Sequence, residues 1–182
     1  DLRTILRDEP GSTRALLLLA RAHELAGSVE LAQDHYARAF QAAKGQPAVG
    51  MEYVRFLVKR NALPRAEEVL NDVLVASPNN LEALKALAQV RLGRADWIGA
   101  QEAAEAIAKA GDQDKLADQI LGVAYAGQKR LDESIEAFKR AHQASPSAQR
   151  PMLALVRAYV RAGKPAEAEQ FLNAVLATNA DN

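Results

Sequence analysis

Core-type positions recur along the chain at steps of three and four, as at Leu16, Leu19, Ala20 and His23, which is one face of a 3.6-residue helix. The same face returns at a fixed interval, with Leu19, Tyr53, Leu87, Leu121 and Leu155 standing 34 residues apart. Further columns keep that register. A compact residue follows the first column (Ala20, Val54, Ala88, Gly122, Val156), and a ring or long side chain comes four residues after it in most copies (His23, Leu57, Arg91, Tyr125, Tyr159). Thirteen residues after it all five copies are small: Ala32, Ala66, Ala100, Ser134 and Ala168. A bulkier column comes next (Tyr36, Leu70, Ala104, Phe138, Leu172), then Ala39, Val73, Ile107, Ala141 and Val175, and last a helix-stop column holding Pro78 and Pro146. A period of 34 with this order of large and small residues predicts an all-α array of helix–turn–helix repeats, over 13–46, 47–80, 81–114, 115–148 and 149–182.

The breaks between helices fit the same scheme. Gly27-Ser28, Asn61-Ala62-Leu63-Pro64, Arg94-Ala95-Asp96, Lys129-Arg130-Leu131-Asp132 and Gly163-Lys164-Pro165 mark the turn inside each repeat, several with a helix-stopping Gly or Asn ahead of an Asp, a Ser or a first-turn Pro. Between repeats, Ser77-Pro78-Asn79-Asn80 supplies a stop and an Asn placed to cap the next helix. Helices 8–10 Å apart interdigitate only where a bulky residue meets a small one, so the small column from Ala32 to Ala168 provides holes and the column from Leu19 to Leu155 provides knobs. Stacking such pairs with a constant rotation gives a superhelix with an extended concave surface.

These columns resemble those of the tetratricopeptide repeat family across nearly the whole chain. The fourth copy is the best match, with Leu121-Gly122, Tyr125, Ser134, Phe138, Ala141 and Pro146 filling the family's slots in order. The resemblance implies a right-handed superhelical α-solenoid of antiparallel helix pairs, forming one continuous domain. Departures lie at the slot that opens each first helix, where Gly50 and Asp118 replace the large Leu16, Leu84 and Met152, and at the proline slot, lost at Lys44, Asp112 and Ala180. Leu2, Ile5, Leu6 and Pro10 within residues 1–12 read as the tail of a preceding repeat, and the chain as a slice of a longer array. On that reading Phe171, Leu172, Val175 and Leu176 form an apolar strip on the last helix, suited to end-to-end self-association.

The formal net charge is zero, which gives no basis for polyelectrolyte binding to nucleic acid or anionic membrane. Any electrostatic preference must come from where the charges sit. The absence of cysteine rules out disulfides and thiolate metal sites and leaves the compartment open. No stretch approaches the roughly 20 consecutive apolar residues of a membrane span.

Catalytic, cofactor and metal chemistry finds no constellation in this sequence. His23 sits in a ring slot filled elsewhere by Tyr125 and Tyr159 and reads as a packing residue, while His35 and His142 fall on second helices without a partner histidine. Gly122-Val-Ala-Tyr-Ala-Gly127-Gln-Lys129 has the look of a phosphate-binding loop, but Gly122 and Tyr125 are already helical repeat slots and no Ser or Thr follows the Lys. Acidic pairs such as Glu67-Glu68 and Asp132-Glu133 open second helices, where negative charge favours the helix N-terminus.

The resemblance places the first helices along the concave face. A stripe offset from the core recurs on each of them, with Arg14, Leu17, Arg21 and Glu24, then Met51, Arg55, Val58 and Lys59, then Glu82, Lys85, Gln89 and Leu92. It continues with Leu116, Gln119, Val123 and Ala126, then Arg150, Leu153, Arg157, Val160 and Arg161. Basic residues dominate it, around a less polar patch at Leu116 and Val123. The expected partner is therefore a protein or peptide, acidic in character, held by a non-catalytic scaffold. The set of Lys, Asn and Arg with which some tetratricopeptide domains clamp a C-terminal carboxylate is mostly missing, since its slots hold Leu17, Arg21, Glu52, Glu82 and Ala86. In style the array is also similar to those of bacterial exopolysaccharide-export and pilus-assembly proteins, which implies a periplasmic or cell-envelope setting and an anionic polysaccharide, or its machinery, as partner.

Overall fold

The computed structural model describes residues 7, 9–112 and 115–179. Among these are ten α-helices: α1 (Thr13–Leu25), α2 (Val29–Ala42), α3 (Pro47–Lys59), α4 (Leu63–Ala76), α5 (Leu81–Gly93), α6 (Trp97–Lys109), α7 (Leu116–Gly127), α8 (Leu131–Ala144), α9 (Gln149–Arg161) and α10 (Pro165–Asn179). Leu2, Ile5 and Leu6, assigned above to a preceding repeat, and Ala180, a lost proline slot, lie outside the described residues. The chain forms two compact units, Asp1–Val90 and Arg91–Asn182, with the boundary inside α5. In unit 1, α1 packs on α2, α2 on α3 and α3 on α4; in unit 2, α6 packs on α7 and the succession continues through α8 and α9 to α10.

One turn is repeated in all five helix–turn–helix motifs. Gly27, Asn61, Ala95, Lys129 and Gly163 each take a left-handed conformation, with φ of 73°, 57°, 57°, 62° and 71°. The amide of the residue that follows then reaches back across the helix end. Ser28 N donates to His23 O at 2.9 Å, and Ala62 to Leu57, Asp96 to Arg91, Arg130 to Tyr125 and Lys164 to Tyr159 do the same at 2.9–3.0 Å. This is the six-to-one bond of a Schellman motif, which satisfies a carbonyl the helix leaves unpaired and turns the chain back on itself. The acceptor residues are the ring-or-long column read from the sequence.

Packing of the pairs depends on the small column. Ala32, Ala66, Ala100, Ser134 and Ala168 are all buried, as are Tyr53, Leu87 and Leu155 of the large column. Ser134 is the one polar member, and its hydroxyl donates to the carbonyl of Gly122 at 2.7 Å, so its burial carries no unmade hydrogen bond. A Cβ on Gly122 would stand 2.7 Å from the Phe138 ring; the glycine is what lets that ring lie against the α7 backbone. Gly50 works the same way in unit 1. A Cβ there would meet Val73 Cγ2 at 2.3 Å and Phe40 at 3.0 Å, so side chains from α4 and α2 occupy the space that a large residue fills in other copies. Asp118, the other departure in that slot, pairs with Arg140 at 2.8 Å instead.

Helix starts are fixed by side chains where the sequence provides them. Asn80 Oδ1 accepts from Ala83 N at 2.9 Å and Asp96 Oδ1 from Gly99 N at 3.0 Å, as N-caps do. Where the proline slot is lost, left-handed residues turn the chain: Lys44 and Gly45 in one junction, Gly111 and Lys115 in another. There the buried Asp112 accepts from Ala117 N at 2.7 Å.

Phe138→Ala should cost about 3–5 kcal/mol through lost burial and a residual cavity. Hydrogen exchange should show the loss in α7, α8 and α9; equal loss of protection in every helix would contradict nearest-neighbour stability. Ala95→Gly should raise stability by up to about 1 kcal/mol, since an L-residue is disfavoured at φ of 57°. Denaturant midpoints test this, and no gain would mean that the turn holds little strain.

Candidate functional site

In unit 1 the first-helix stripe carries two ion pairs between neighbouring first helices. Arg21 on α1 reaches Glu52 on α3 through two hydrogen bonds, Nε to Oε2 at 3.0 Å and Nη2 to Oε1 at 2.6 Å. Lys59 Nζ donates to Glu24 Oε1 at 3.0 Å, and the Tyr36 hydroxyl donates to the other oxygen of the same carboxylate at 3.0 Å. The contact with Lys59 holds the Glu24 carboxyl below its ordinary range, and burial followed by the bond to Glu24 pushes Tyr36 up to about 12. Together with Arg55 and Phe56 these residues line a recess of about 260 Å³. Arg55 has no acidic partner among the described residues. The cationic surface expected here from Arg21 and Lys59 is corrected by this geometry, because Glu24 and Glu52 neutralise both.

Unit 2 presents a different surface. Val123 and Ala126 of α7, Ser134 and Phe138 of α8, and Ala154, Val156, Arg157, Ala158, Val160 and Arg161 of α9 line a cleft of about 620 Å³. Val123 and Val160 remain 40% and 60% exposed, which is apolar surface left in contact with water. Arg157 and Arg161 stand one helical turn apart on the same face of α9. Neither has an ion-pair partner among the described residues. Phe138, in the floor, joins Ile135, Leu155 and Ala158 in a buried cluster that holds the cleft's shape.

The remaining stripe residues are distributed unevenly. Arg14, Gln89, Arg150 and Leu153 are exposed, while Leu17, Lys85, Leu116 and Gln119 are half-buried. Met51 is 7% exposed and lies beneath the surface. Sequence reasoning missed Glu52, Tyr36 and Phe56 as lining residues in unit 1, and Ser134, Phe138, Ala154, Val156 and Ala158 in unit 2, while it placed Ala126 on the stripe correctly. The signal was available in the spacing. Side chains that meet between neighbouring first helices stand 31 residues apart (Arg21 and Glu52) or 35 apart (Lys59 and Glu24), one repeat less or more a fraction of a turn.

The histidines need one correction. His35 does have a histidine partner, since its ring stacks on His23 at 5.3 Å between centroids with 27° between planes. His142 sits edge-on to Phe171 at 5.0 Å. Phe171 therefore faces inward, packed against the Phe138 cluster, and does not belong to an outer strip; Leu176 remains exposed. The phosphate-loop look-alike lies in helix α7 and its closing turn. Among the described residues no group of three or more His, Cys, Asp or Glu is arranged to hold a metal, and no helix is long and apolar enough to cross a membrane.

Two tetratricopeptide repeat family models match the chain, one over residues 25–90 and 125–182 and the other over 1–47 and 85–149. The chain belongs to the tetratricopeptide repeat family. Its fold is similar to that of MamA (residue 41 to the end) from Desulfovibrio magneticus RS-1, with 23% identity and a TM-score of 0.76 over 93% of this chain and 96% of that one. A tetratricopeptide repeat protein from Parabacteroides merdae ATCC 43184 matches at 17% identity and 0.74, over 97% and 70%. YrrB, described as a tetratricopeptide repeat protein with an unusual peptide-binding site, matches at 14% identity and 0.72, over 100% and 93%. At these identities the likeness establishes the fold of antiparallel helix pairs. No curated protein sequence matches the chain. The similarity in style to exopolysaccharide-export and pilus-assembly arrays gains no support from these matches.

His35 generates a pH dependence. Burial pushes His35 below its ordinary value of 6.5, opposed by Asp34 and aided by His23 and Arg38. The unfolded chain then takes up a proton that the folded chain resists, so this stability is full above about pH 6.5 and declines as pH falls below it. Thermal melts should show a lower midpoint at about pH 5.5 than at about pH 7.5, with a shallower slope in His35→Gln. Equal slopes would remove His35 as the cause.

Proposed function

We propose that the protein is a non-catalytic protein-interaction scaffold that binds a partner's peptide segment in the cleft between α7 and α9 of unit 2. Family membership supports the scaffold role. The observation that carries the site is an apolar cleft bordered by two arginines that pair with no carboxylate among the described residues. Such a cleft suits an apolar side chain flanked by acidic residues, the anchor entering between Val123 and Val160 and the carboxylates meeting Arg157 and Arg161. Its lining offers sugar hydroxyls few hydrogen-bond partners, which favours a peptide over an anionic polysaccharide.

Selection of binding sequences from a displayed peptide library, followed by fluorescence anisotropy, tests the reading. Selected peptides should combine Asp or Glu with a large apolar residue. Arg157→Glu with Arg161→Glu should weaken binding several-fold or more, and added salt should weaken the wild type, because rim charges are screened over about 8–10 Å at physiological ionic strength. The same reversal at Arg38 and Lys139 on second helices should matter little. Binding indifferent to salt and to the Arg157 and Arg161 changes would return these arginines to an ordinary solvated face.

A further inference from the structure

The recess of unit 1 and the cleft of unit 2 occupy the same repeat positions, three repeats apart. Moving along the chain by that interval carries Arg21 to Val123, Glu24 to Ala126, Tyr36 to Phe138, Glu52 to Ala154, Arg55 to Arg157, and Lys59 to Arg161. Two cations are kept, at Arg55/Arg157 and Lys59/Arg161. Both carboxylates are replaced by alanine. In unit 1 Glu24 holds Lys59 and Tyr36, and Glu52 holds Arg21 in a bidentate pair, so the acceptor positions that an incoming carboxylate would take are filled from within the chain. In unit 2 Ala126 offers Arg161 no carboxylate, Val123 and Ala154 replace the Arg21–Glu52 pair, and the polar recess becomes an apolar cleft.

We propose that Glu24 and Glu52 are specificity residues that withhold the unit 1 recess from acidic segments, and that Ala126 and Ala154 open the equivalent cleft of unit 2 to them. An acidic ligand at unit 1 must break charge-assisted bonds already made to reach Arg21 or Lys59, and near Arg55 it meets two fixed carboxylates, a repulsive element of the kind that separates partners. At unit 2 it breaks none. The proposal rests on the reading of unit 2 as the peptide site, yet it makes a separate claim about unit 1.

The test is titration of a short Glu- and Leu-rich peptide into the whole chain by calorimetry, with circular dichroism to verify the fold of each variant. Wild type should bind at one site. Glu24→Ala with Glu52→Ala should acquire a second, and Arg55→Glu in that background should abolish it again. Ala126→Glu, which restores one acid to unit 2, should weaken the wild-type site about tenfold or more, the loss expected for a like-charge contact and a capped arginine. Glu102→Gln with Glu105→Gln raises net charge equally on α6 and should change nothing. Should the double alanine variant lose its fold, Glu52→Ala alone keeps the Glu24, Lys59 and Tyr36 bonds and should still bind the peptide measurably at unit 1. A folded Glu24/Glu52 variant with unchanged stoichiometry and affinity overturns the proposal even if unit 2 binds. Absence of binding by wild type would instead overturn the peptide-site reading, and a site gained on removing the two glutamates would still uphold the specificity claim.

Discussion

Close approach of paired helices through a column of small residues is the constraint on which the rest depends. Ala32, Ala66, Ala100, Ser134 and Ala168 are all buried, and the glycines at 50 and 122 give side chains of neighbouring helices room against the first helices. Packing at native density leaves no room for a larger side chain at these positions. The left-handed turn residue completes the device, since every first helix stops with the same six-to-one bond and the chain reverses there. With backbone geometry fixed in this way, positions on the first helices are free to vary, and the surfaces of the two units differ through them.

That division explains why one scaffold carries two electrostatic characters. The positions between adjacent first helices hold Arg21, Glu24, Glu52 and Lys59 in unit 1 and Val123, Ala126, Ala154 and Arg161 in unit 2. Ion pairs at exposed positions contribute little to stability, typically below about 1 kcal/mol. Their effect is on what a ligand meets. A paired arginine presents a neutral, hydrated surface, whereas an unpaired one beside exposed valine offers both a charge and a place to exclude water.

The fold was legible in the sequence because it is written in repeated columns, and repetition separates signal from chance. The turn residues were found through Gly27, Asn61 and Gly163, whose chemistry advertises left-handed backbone; at Ala95 and Lys129 the register alone located them. The site was only partly legible. Periodicity within one helix picks out Arg21 and Lys59 but says nothing of Glu52, which comes from the next helix across, so two of the cations that read as free one helix at a time are paired once the helices are set side by side. His35 was missed as a partner of His23 for the same reason, as ring stacking between α1 and α2 is a tertiary fact. In unit 2 Arg157 and Arg161 have no ion-pair partner among the described residues, and Ala126 stands where unit 1 has Glu24.

The central claim is that a ligand enters unit 2 between Val123 and Val160. Methyl NMR on the valine-labelled protein, with a selected acidic, apolar-anchored peptide added, tests it most directly. Shifts should concentrate at Val123, Val156 and Val160, with Val49 and Val54 of unit 1 unmoved. Shifts confined to unit 1, or spread evenly over both units, would contradict it.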